Sequence, residues 1–416
     1  MSKNNSDFFK EKNKWSVIKD RLLGCYLSPY FQKVLMTKKP IYYVDCFAGK
    51  GKFEDGNAGS PLIALQVREE CLNRSMAPQK VGAIQSCFIE LNHADELQKN
   101  IDTFDTAYGY IKIVSGSYEE TILDCLSDKN DYNVFLYIDP YGIKALNFEL
   151  FKKFKTLGVN TFEMLINFNS FGFFRDACRV MRVNYSNDEA LNSLDDLIEY
   201  EPTMFGTNAQ SETLLSSIAG GDYWKRIVKD YKDGKFDGYK AEQVLSERYK
   251  QQLKKHYSYV LDLPIRLKAA QRPKYRMIHV CDHKDGCFLM AQNMQKRKDE
   301  LFLNIQQDGQ LTLFDMMTEC SSTVEGDYIT TEEITEKVRQ LLKNHHEIGL
   351  TEFIASFVNE HGLICDFKII YDSLNSMEQK NEIQIMRNPA YTKTGKKSAF
   401  WEEGSGKTIT LKRCNL

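Results

Sequence analysis

Residues 42 to 65 read YYVDCFAGKGKFEDGNAGSPLIAL. An apolar run of strand-forming residues ends in Asp45, and a glycine-rich turn follows before a second apolar run begins at Pro61. A strand, a tight turn and a helix in this order predict the first unit of an α/β sheet. Ser60 and Pro61 suit the cap and the first turn of that helix. The turn is therefore expected at the carboxyl edge of the sheet, where open α/β sheets bind ligands.

The glycine turn matches neither of two common phosphate-binding loops. A nucleoside triphosphate loop needs G-x-x-x-x-G-K-[ST], but Cys46 stands at the first glycine position and Phe53 follows Gly51-Lys52. A dinucleotide loop needs a third glycine that opens the helix directly. Here a second loop, EDGNAGS, comes before the helix.

The remaining interpretation is a site for S-adenosylmethionine (SAM), which has no pyrophosphate to hold. Its amino acid and ribose need an acid at a strand end and a closely approaching backbone, which small residues allow. The candidate cofactor-binding residues in the turn are Asp45, Phe47, Ala48, Gly49 and Gly51. Glu90 ends the next strand-like run and suits the two ribose hydroxyls. The residues placed to flank the adenine are Ser115, Gly116 and Ser117.

Short runs rich in β-branched and aromatic residues alternate with helical stretches along the first two thirds of the chain. The strand-like runs are residues 41–47, 86–91, 111–116, 133–140, 161–168, 257–267 and 275–282. Unalternating apolar runs are typical of buried parallel strands. The pattern predicts a doubly wound, Rossmann-like α/β sheet of seven strands, the last two paired as a hairpin. Residues 173–256 are polar and helical, which predicts an insertion.

The fourth strand-like run ends in YIDPYG, where amino methyltransferases carry an Asp/Asn-Pro-Pro-Tyr/Phe motif. An exocyclic amine is a poor nucleophile because its lone pair is delocalised into the ring. Hydrogen bonds from that amine to Asp139 and to the Pro140 carbonyl would aim the lone pair at the methyl group, while Tyr141 stacks on the displaced base. These three residues are the candidate catalytic group. Tyr141 stands where the motif has its second proline, which puts the stacking geometry in doubt.

Two further sets of residues are candidates for substrate binding. Asn167, Asn169 and Arg175 follow the fifth strand and are predicted to face the mouth of the cleft. Residues 387–416 contain seven Lys or Arg and two acids, the most basic local patch of the chain. Lys396 and Lys397 belong to this patch, which can contact phosphates.

The pattern changes after residue 306. Residues 307–327 resemble a linker, and three helix-like stretches and two strand-like stretches follow. This order predicts a small winged-helix domain over residues 328–416, after a methyltransferase-like domain over residues 1–306. The winged helix is expected either to contact nucleic acid or to be a structural or dimerising unit.

Composition limits the class of protein. The formal net charge of -2 means that any nucleic-acid contact must use local patches. No apolar stretch approaches the ~18 to 20 residues that span a bilayer, and the N-terminus lacks the apolar core of a signal peptide. Cys281, His283 and Cys287 have no fourth ligand nearby, so no metal site is predicted. We expect a cytoplasmic protein with reduced thiols and no membrane partner.

A resemblance to the three-Cys-motif partner family (TcmP) is carried by VDCFAGKGKFEDGNAGSPLIAL, CFIELN, FLYIDPYG, MLINFN and YRMIHVCDHKDGCFLMAQNM. The match covers residues 10–300 in order, and residues 328–416 resemble the winged helix that many members append. The resemblance implies a Rossmann-like methyltransferase fold and SAM-dependent methyl transfer on DNA or RNA. It also implies association with a radical-SAM-like protein that bears the three cysteines, often in mobile-element, phage-linked or defence settings.

Two hypotheses of function result. The first is a SAM-dependent amino methyltransferase that acts on nucleic acid. The second is a non-catalytic nucleic-acid-binding or assembly module that keeps a methyltransferase-like fold and serves a partner enzyme. Replacement of Asp139 separates them, because only the first hypothesis predicts a loss of activity.

Overall fold

The computed structural model describes residues 14–74, 84–104, 109–192, 207–265, 275–307, 329–404 and 406–414. The chain forms two compact units, Met1–Asp282 and His283–Leu416. Sequence analysis placed the end of the first domain at residue 306. The structure ends the first unit earlier because the helix that begins at Lys284 packs within the second unit. Of the predicted linker, residues 308–327 lie outside the described residues.

The first unit is built on a seven-stranded, mostly parallel sheet flanked by helices, as the sequence predicted. Its strands are β1 (Ile41–Asp45), β2 (Ile84–Glu90), β3 (Ile111–Ser115), β4 (Asn133–Ile138), β5 (Thr161–Phe168), β6 (Tyr259–Ile265) and β7 (Tyr275–Cys281). Their order across the sheet is β3-β2-β1-β4-β5-β7-β6. Strands β1 to β5 are parallel, and β7 runs antiparallel to both of its neighbours. The predicted antiparallel pairing of the last two strands is confirmed.

The strands form where the sequence has unalternating apolar residues. Every residue of β1, β4 and β7 is buried, and a sheet buried on both faces needs helices on both sides. The helices of this unit are α1 (Lys14–Leu35), α2 (Ser60–Arg74), α3 (Ala94–Ile101), α4 (Tyr118–Leu126), α5 (Phe148–Lys155), α6 (Ser170–Val180), α7 (Glu189–Asn192), α8 (Asn208–Ala219), α9 (Tyr223–Lys232) and α10 (Gly238–Lys254). Helices α6 to α10 belong to the helical block that the sequence predicted between the fifth and sixth strands.

Helix α1 packs on one face of the sheet through an aromatic and polar cluster. The Tyr26 and Tyr30 rings lie 5.7 and 5.3 Å from the ring of Phe135 on β4. The Tyr26 hydroxyl donates to Glu163 Oε2 on β5 at 2.5 Å, and His279 Nε2 on β7 lies 2.9 Å from the same oxygen. These contacts fix the rotation of α1 about its axis, and so decide which of its side chains reach the carboxyl edge of the sheet.

The second unit combines helices with a small antiparallel sheet. Its described elements are α11 (Lys284–Gln307), α12 (Thr331–Lys343), β8 (Glu347–Gly349), α13 (Leu350–His361), α14 (Phe367–Gln379), β9 (Ile383–Asn388) and β10 (Thr408–Arg413). The strand order is β8-β10-β9. Thr330 and Glu333 form a capping box at the start of α12, and Gly362 ends α13.

The described residues lack both a membrane-spanning helix and a cluster of metal-binding side chains. None of the helices there is long and apolar enough to cross a membrane. The His, Cys, Asp and Glu side chains of the same residues form no group of three or more that could hold a metal ion.

Candidate active site

A cavity of about 390 Å³ opens at the carboxyl edge of the sheet in the first unit. Its wall combines the turn after β1, the ends of β2, β4 and β5, the segment after β3, and side chains of α1. The predicted site residues that line it are Phe47, Ala48, Gly49, Gly51, Glu90, Gly116, Ser117, Asp139, Pro140, Tyr141, Asn167 and Asn169. The fold therefore brings most of the predicted cofactor residues and all three predicted catalytic residues to one cavity.

The glycine turn presents bare backbone to this cavity. Its start is tied to β2 by a hydrogen bond from Ala48 N to Ile89 O at 3.0 Å. Gly49 and Gly51 have φ angles of 60° and 77°, a region that disfavours any residue with a Cβ. A Cβ on Gly51 would also lie 2.8 Å from Leu97 Cδ1. Glycine is therefore required at both positions by conformation, and at Gly51 by space as well.

Glu90 ends β2 with its carboxylate fixed by backbone amides. Gly49 N donates to Oε2 at 2.8 Å, and Asn92 N and His93 N donate to Oε1 at 2.9 and 3.1 Å. A carboxylate has about four acceptor positions, so these three bonds orient the group and leave acceptor capacity for a ligand hydroxyl. Glu90 thus fixes the shape of the glycine turn where the turn lines the cavity.

Two predicted cofactor residues, Asp45 and Ser115, lie outside the cavity wall. Asp45 is fully buried, and its Oδ1 accepts a hydrogen bond from Phe47 N at 3.2 Å. Ser115 is the exposed last residue of β3. Burial raises the pKa of Asp45 to about 7, against the lowering effect of the Ser60 hydroxyl and the Phe47 amide. Asp45 therefore holds the backbone of the turn in place from the buried side and does not face the cavity.

Replacing Asp45 with asparagine is expected to change how stability depends on pH. Since the folded-state pKa of about 7 lies above the ordinary value of 3.8, the folded protein holds this proton more tightly than the unfolded chain does. The carboxyl therefore favours the folded state less and less as pH rises from about 4 to about 7, by at most about 1.4 kcal/mol per pH unit. Asparagine keeps an oxygen for the Phe47 amide but cannot ionise, so this part of the slope disappears.

Urea unfolding of both proteins across this pH range measures the effect. The free energy of unfolding of Asp45→Asn relative to the parent should rise steadily from about pH 4 to about pH 7. Asp131→Asn, at a site where the side chain is 86% exposed, is the control and should show no such trend. A constant difference between Asp45→Asn and the parent would contradict the raised pKa.

The carboxylate of Asp139, just after β4, accepts four hydrogen bonds. Lys19 Nζ on α1 donates to Oδ1 at 3.0 Å and to Oδ2 at 2.8 Å. Tyr137 OH donates to Oδ2 at 3.1 Å, and Asn167 Nδ2 donates to Oδ1 at 2.7 Å. The Lys19 and Asp139 side chains are only 8% and 20% exposed. These four hydrogen bonds, from three donor groups, match the number of acceptor positions that a carboxylate has. The substrate amine that the sequence assigned to Asp139 would therefore have to replace one of these donors.

Other predicted residues complete the wall beside Asp139. Tyr141 lines the cavity with its side chain 38% exposed, which leaves surface for stacking against a ligand. Asn169 lines the cavity too, and its Oδ1 caps helix α6 by accepting from Gly172 N at 2.8 Å. Asn169 therefore has a structural task whether or not it touches a substrate.

Three predicted substrate residues do not line the cavity. Arg175 is 5% exposed on the inward side of α6, and its guanidinium lies 5.8 Å from the centre of the Tyr185 ring. Helical spacing turns this side chain into the packed interior, which the sequence pattern after β5 did not indicate. Lys396 and Lys397 belong to the second unit, where both are exposed between β9 and β10.

The cavity geometry is the main guide to function. No family model matches this chain, and no curated protein matches it. The likeness to the TcmP family remains a prediction from sequence motifs.

The sequence analysis missed the contribution of α1 to the cavity. Lys19 lines it together with Ser16 and Asp20. Ser16, Lys19, Leu23 and Tyr26 form one buried stripe at helical spacing. A lysine in a stripe without another charged residue was the available signal, because a buried ammonium requires a partner.

Proposed function

We propose that this protein is a SAM-dependent methyltransferase that acts on nucleic acid. One observation carries the proposal, namely the order of groups around the cavity. The glycine turn follows β1, the acid Glu90 ends β2 on one side of it, and Asp139-Pro140-Tyr141 follows β4 on the other side. This order gives the cavity a cofactor half, formed by the glycine turn and Glu90, and an acceptor half, formed by Asp139, Pro140 and Tyr141, where the group that receives the methyl would bind. The two halves meet at the turn, as transfer of a methyl group requires.

The residues of the cofactor half fit SAM. The positive-φ backbone of Gly49 and Gly51 lets a ligand approach without meeting side chains. Glu90, hydrogen-bonded to the turn, offers acceptor capacity to the ribose hydroxyls. Gly116 and Ser117 line the same cavity and are assigned to flank the adenine. When bound, SAM supplies a methyl group on a positively charged sulfur, which a nucleophile can take.

The topology supports the same proposal. The strand order β3-β2-β1-β4-β5-β7-β6 reverses its direction between β1 and β4, and open α/β sheets bind ligands beyond the strand ends at such a switch point. A fold alone does not establish a reaction. The topology supports a ligand site at this edge of the sheet, and it leaves the choice of cofactor and substrate to the residues of the cavity and to the second unit.

The second unit supports a nucleic-acid substrate. From α12 to β10 its elements follow the winged-helix order of helix, strand, two helices and two strands, and β10 pairs between β8 and β9. Lys393, Lys396 and Lys397 are exposed on the segment between β9 and β10 and suit phosphate contacts. Tyr391, 66% exposed, adds a surface on which a base can stack. This segment is our candidate nucleic-acid contact.

The acceptor half has a distinct task for each of its residues. Tyr141 stacks on the nucleoside that enters the cavity, and the Pro140 carbonyl accepts a hydrogen bond from it. Asp139 stays in place through Lys19, Tyr137 and Asn167. That the atom which takes the methyl group is the nitrogen of an exocyclic amine stays a prediction of the sequence.

Calorimetric titration with S-adenosylhomocysteine, the product of methyl transfer from SAM, tests the proposal. We expect one site per chain in the parent protein and in Asp139→Ala, because Asp139 lies in the acceptor half. The parent protein should transfer methyl groups from labelled SAM to nucleic acid, and Asp139→Ala should not. Absence of any binding by the parent protein would overturn the proposal.

A second candidate function is the non-catalytic module, which is favoured by one observation. The Lys19 ammonium and two further donors already surround Asp139, so the acceptor half is well satisfied without substrate. Under this alternative no labelled methyl group reaches nucleic acid, whatever residue stands at 139. Replacement of Lys396 and Lys397 by alanine would still weaken nucleic-acid binding.

A further inference from the structure

We infer that the methyl acceptor is a hydroxyl group, the ribose 2′-hydroxyl of RNA, and that Lys19 orients it. The inference rests on the proposed function and specifies its substrate. It starts from the pairing of a buried ammonium with the carboxylate of Asp139 inside the cavity that also contains Gly49 and Glu90. This pair is the distinctive feature of the acceptor half.

The pair places an ammonium, which donates hydrogen bonds, beside a carboxylate, which accepts them. Lys19 Nζ lies 3.0 and 2.8 Å from the two oxygens of Asp139. An amino group conjugated to a ring carries two donor hydrogens, and its nitrogen is a poor acceptor because the lone pair is delocalised. Such an amino group is best bound by two hydrogen-bond acceptors. Beside the Lys19 ammonium its hydrogens would face other N–H donors, which is unfavourable. A hydroxyl both donates and accepts, so it can accept from Lys19 while donating to Asp139.

Asp139 can accept from a substrate hydroxyl once that hydroxyl replaces one of its present donors. Its weakest partner by distance is Tyr137 OH at 3.1 Å, compared with 2.7 Å for Asn167 Nδ2. A substrate hydroxyl that takes the place of Tyr137 on Oδ2 lies next to the Lys19 ammonium, which contacts the same oxygen. The ion pair itself remains intact, which matters because a buried charge without its partner is costly.

The ammonium also suits the chemistry of an oxygen nucleophile. A hydroxyl becomes strongly nucleophilic only as it loses its proton, and a nearby positive charge favours that loss. In the transfer the hydroxyl oxygen forms a bond to the methyl carbon, the carbon–sulfur bond breaks with its electron pair left on sulfur, and the hydroxyl proton passes to Asp139. A neutral amine attacks before it loses a proton, so it gains nothing from the cation.

The hydroxyl identifies the nucleic acid. RNA presents a 2′-hydroxyl at every nucleotide, and DNA does not, so this group is the one by which proteins tell the two apart. Tyr141 beside the pair is placed to stack on the base of the same nucleotide. RNA is therefore the substrate that matches both the ion pair and the aromatic ring.

The test uses the full chain, labelled SAM, and total RNA and total DNA from a strain that lacks the gene. We expect label in RNA and none in DNA, and mass spectrometry of the digested nucleosides should place the methyl group on ribose. Methylated bases, labelled DNA, or no transfer to RNA by a protein that binds S-adenosylhomocysteine would each overturn the inference. Failure to bind S-adenosylhomocysteine would instead overturn the proposed function.

Variants of Lys19 test its role separately. Lys19→Met should lower kcat on the order of 100-fold, while the affinity for S-adenosylhomocysteine stays close to that of the parent. Lys19→Arg keeps a charged donor and should recover part of kcat. Lys33→Met makes the same change at an exposed position of the same helix and should keep full activity. Equal activity of Lys19→Met and Lys33→Met would overturn the assignment of Lys19.

Discussion

Replacing Glu242 with alanine is expected to lower the free energy of unfolding by about 3 to 5 kcal/mol, because it leaves a buried arginine without its main partner. Arg276 on β7 is 3% exposed and donates to Glu242 through Nε at 2.8 Å and Nη2 at 3.0 Å. Its Nη1 donates to Asp262 on β6 at 2.7 Å. Glu242 lies on α10 and is 1% exposed, so little water can replace it.

The same cluster explains why the loss should be large. Glu242 Oε1 also accepts from Ser170 at the start of α6 and from Ser246 on α10. Asp262 pairs with Lys250 as well. Burial raises the pKa of Asp262, but the charges of Lys250 and Arg276 outweigh it and hold that pKa well below its usual range. One carboxylate thus joins α6, α10 and β7, and its removal leaves several buried donors unsatisfied at once.

Urea unfolding of the purified protein measures this effect against a matched control. Arg226→Ala removes a surface ion pair with Asp230 in which the arginine side chain is 67% exposed and the aspartate side chain 15%, and it should cost at most about 1 kcal/mol. Glu242→Gln keeps the shape and one acceptor, so its loss should be intermediate. A loss for Glu242→Ala as small as that of Arg226→Ala would show that the cluster contributes little.

Replacing Glu90 with alanine is expected to weaken binding of S-adenosylhomocysteine by about 100-fold, since hydrogen bonds to a charged group contribute about 1.5 to 3 kcal/mol. Two losses combine in this variant. The proposed ribose contact loses its acceptor, and the amides of Gly49, Asn92 and His93 lose the carboxylate that now positions them. Both effects act on the cofactor half of the cavity.

Calorimetry on matched variants separates this effect from a general loss of charge. Glu70→Ala removes an acid from α2 whose side chain is 49% exposed, and it should bind S-adenosylhomocysteine as the parent does. Glu90→Gln keeps one acceptor oxygen, so it can accept either from Gly49 N or from Asn92 N and His93 N. This variant should bind S-adenosylhomocysteine with intermediate affinity. If Glu90→Ala binds as tightly as Glu70→Ala, Glu90 has no role in holding the cofactor.

The sheet was predictable because each strand carries its own signal. Runs such as IYYVD and NVFLYI are apolar without alternation, and both became fully buried strands. The acids and glycines at the strand ends were predictable for the same reason, since parallel strands share one carboxyl edge. Residues near a strand end can thus be placed at the cavity from the local sequence of each strand alone.

Contacts between distant elements were not predictable in this way. Lys19 reaches Asp139 only because Tyr26 and Tyr30 set the rotation of α1 on the sheet. Glu242 reads as one more acid in a charged helix, AEQVLSERYKQQLKK, until α10 meets β7. Both depend on how one element is turned against another, which no single stretch of sequence encodes.

The position of β7 between β5 and β6 also affects how the chain folds during synthesis. Strand β5 is complete at Phe168, but the strand that covers its edge begins at Tyr275, after α6 to α10 have been made. Until then a buried, apolar strand has an open edge, which is the kind of surface that pairs with other chains. We therefore expect the sheet to close late on the ribosome, with a nascent chain that depends on chaperones until residue 281 has emerged.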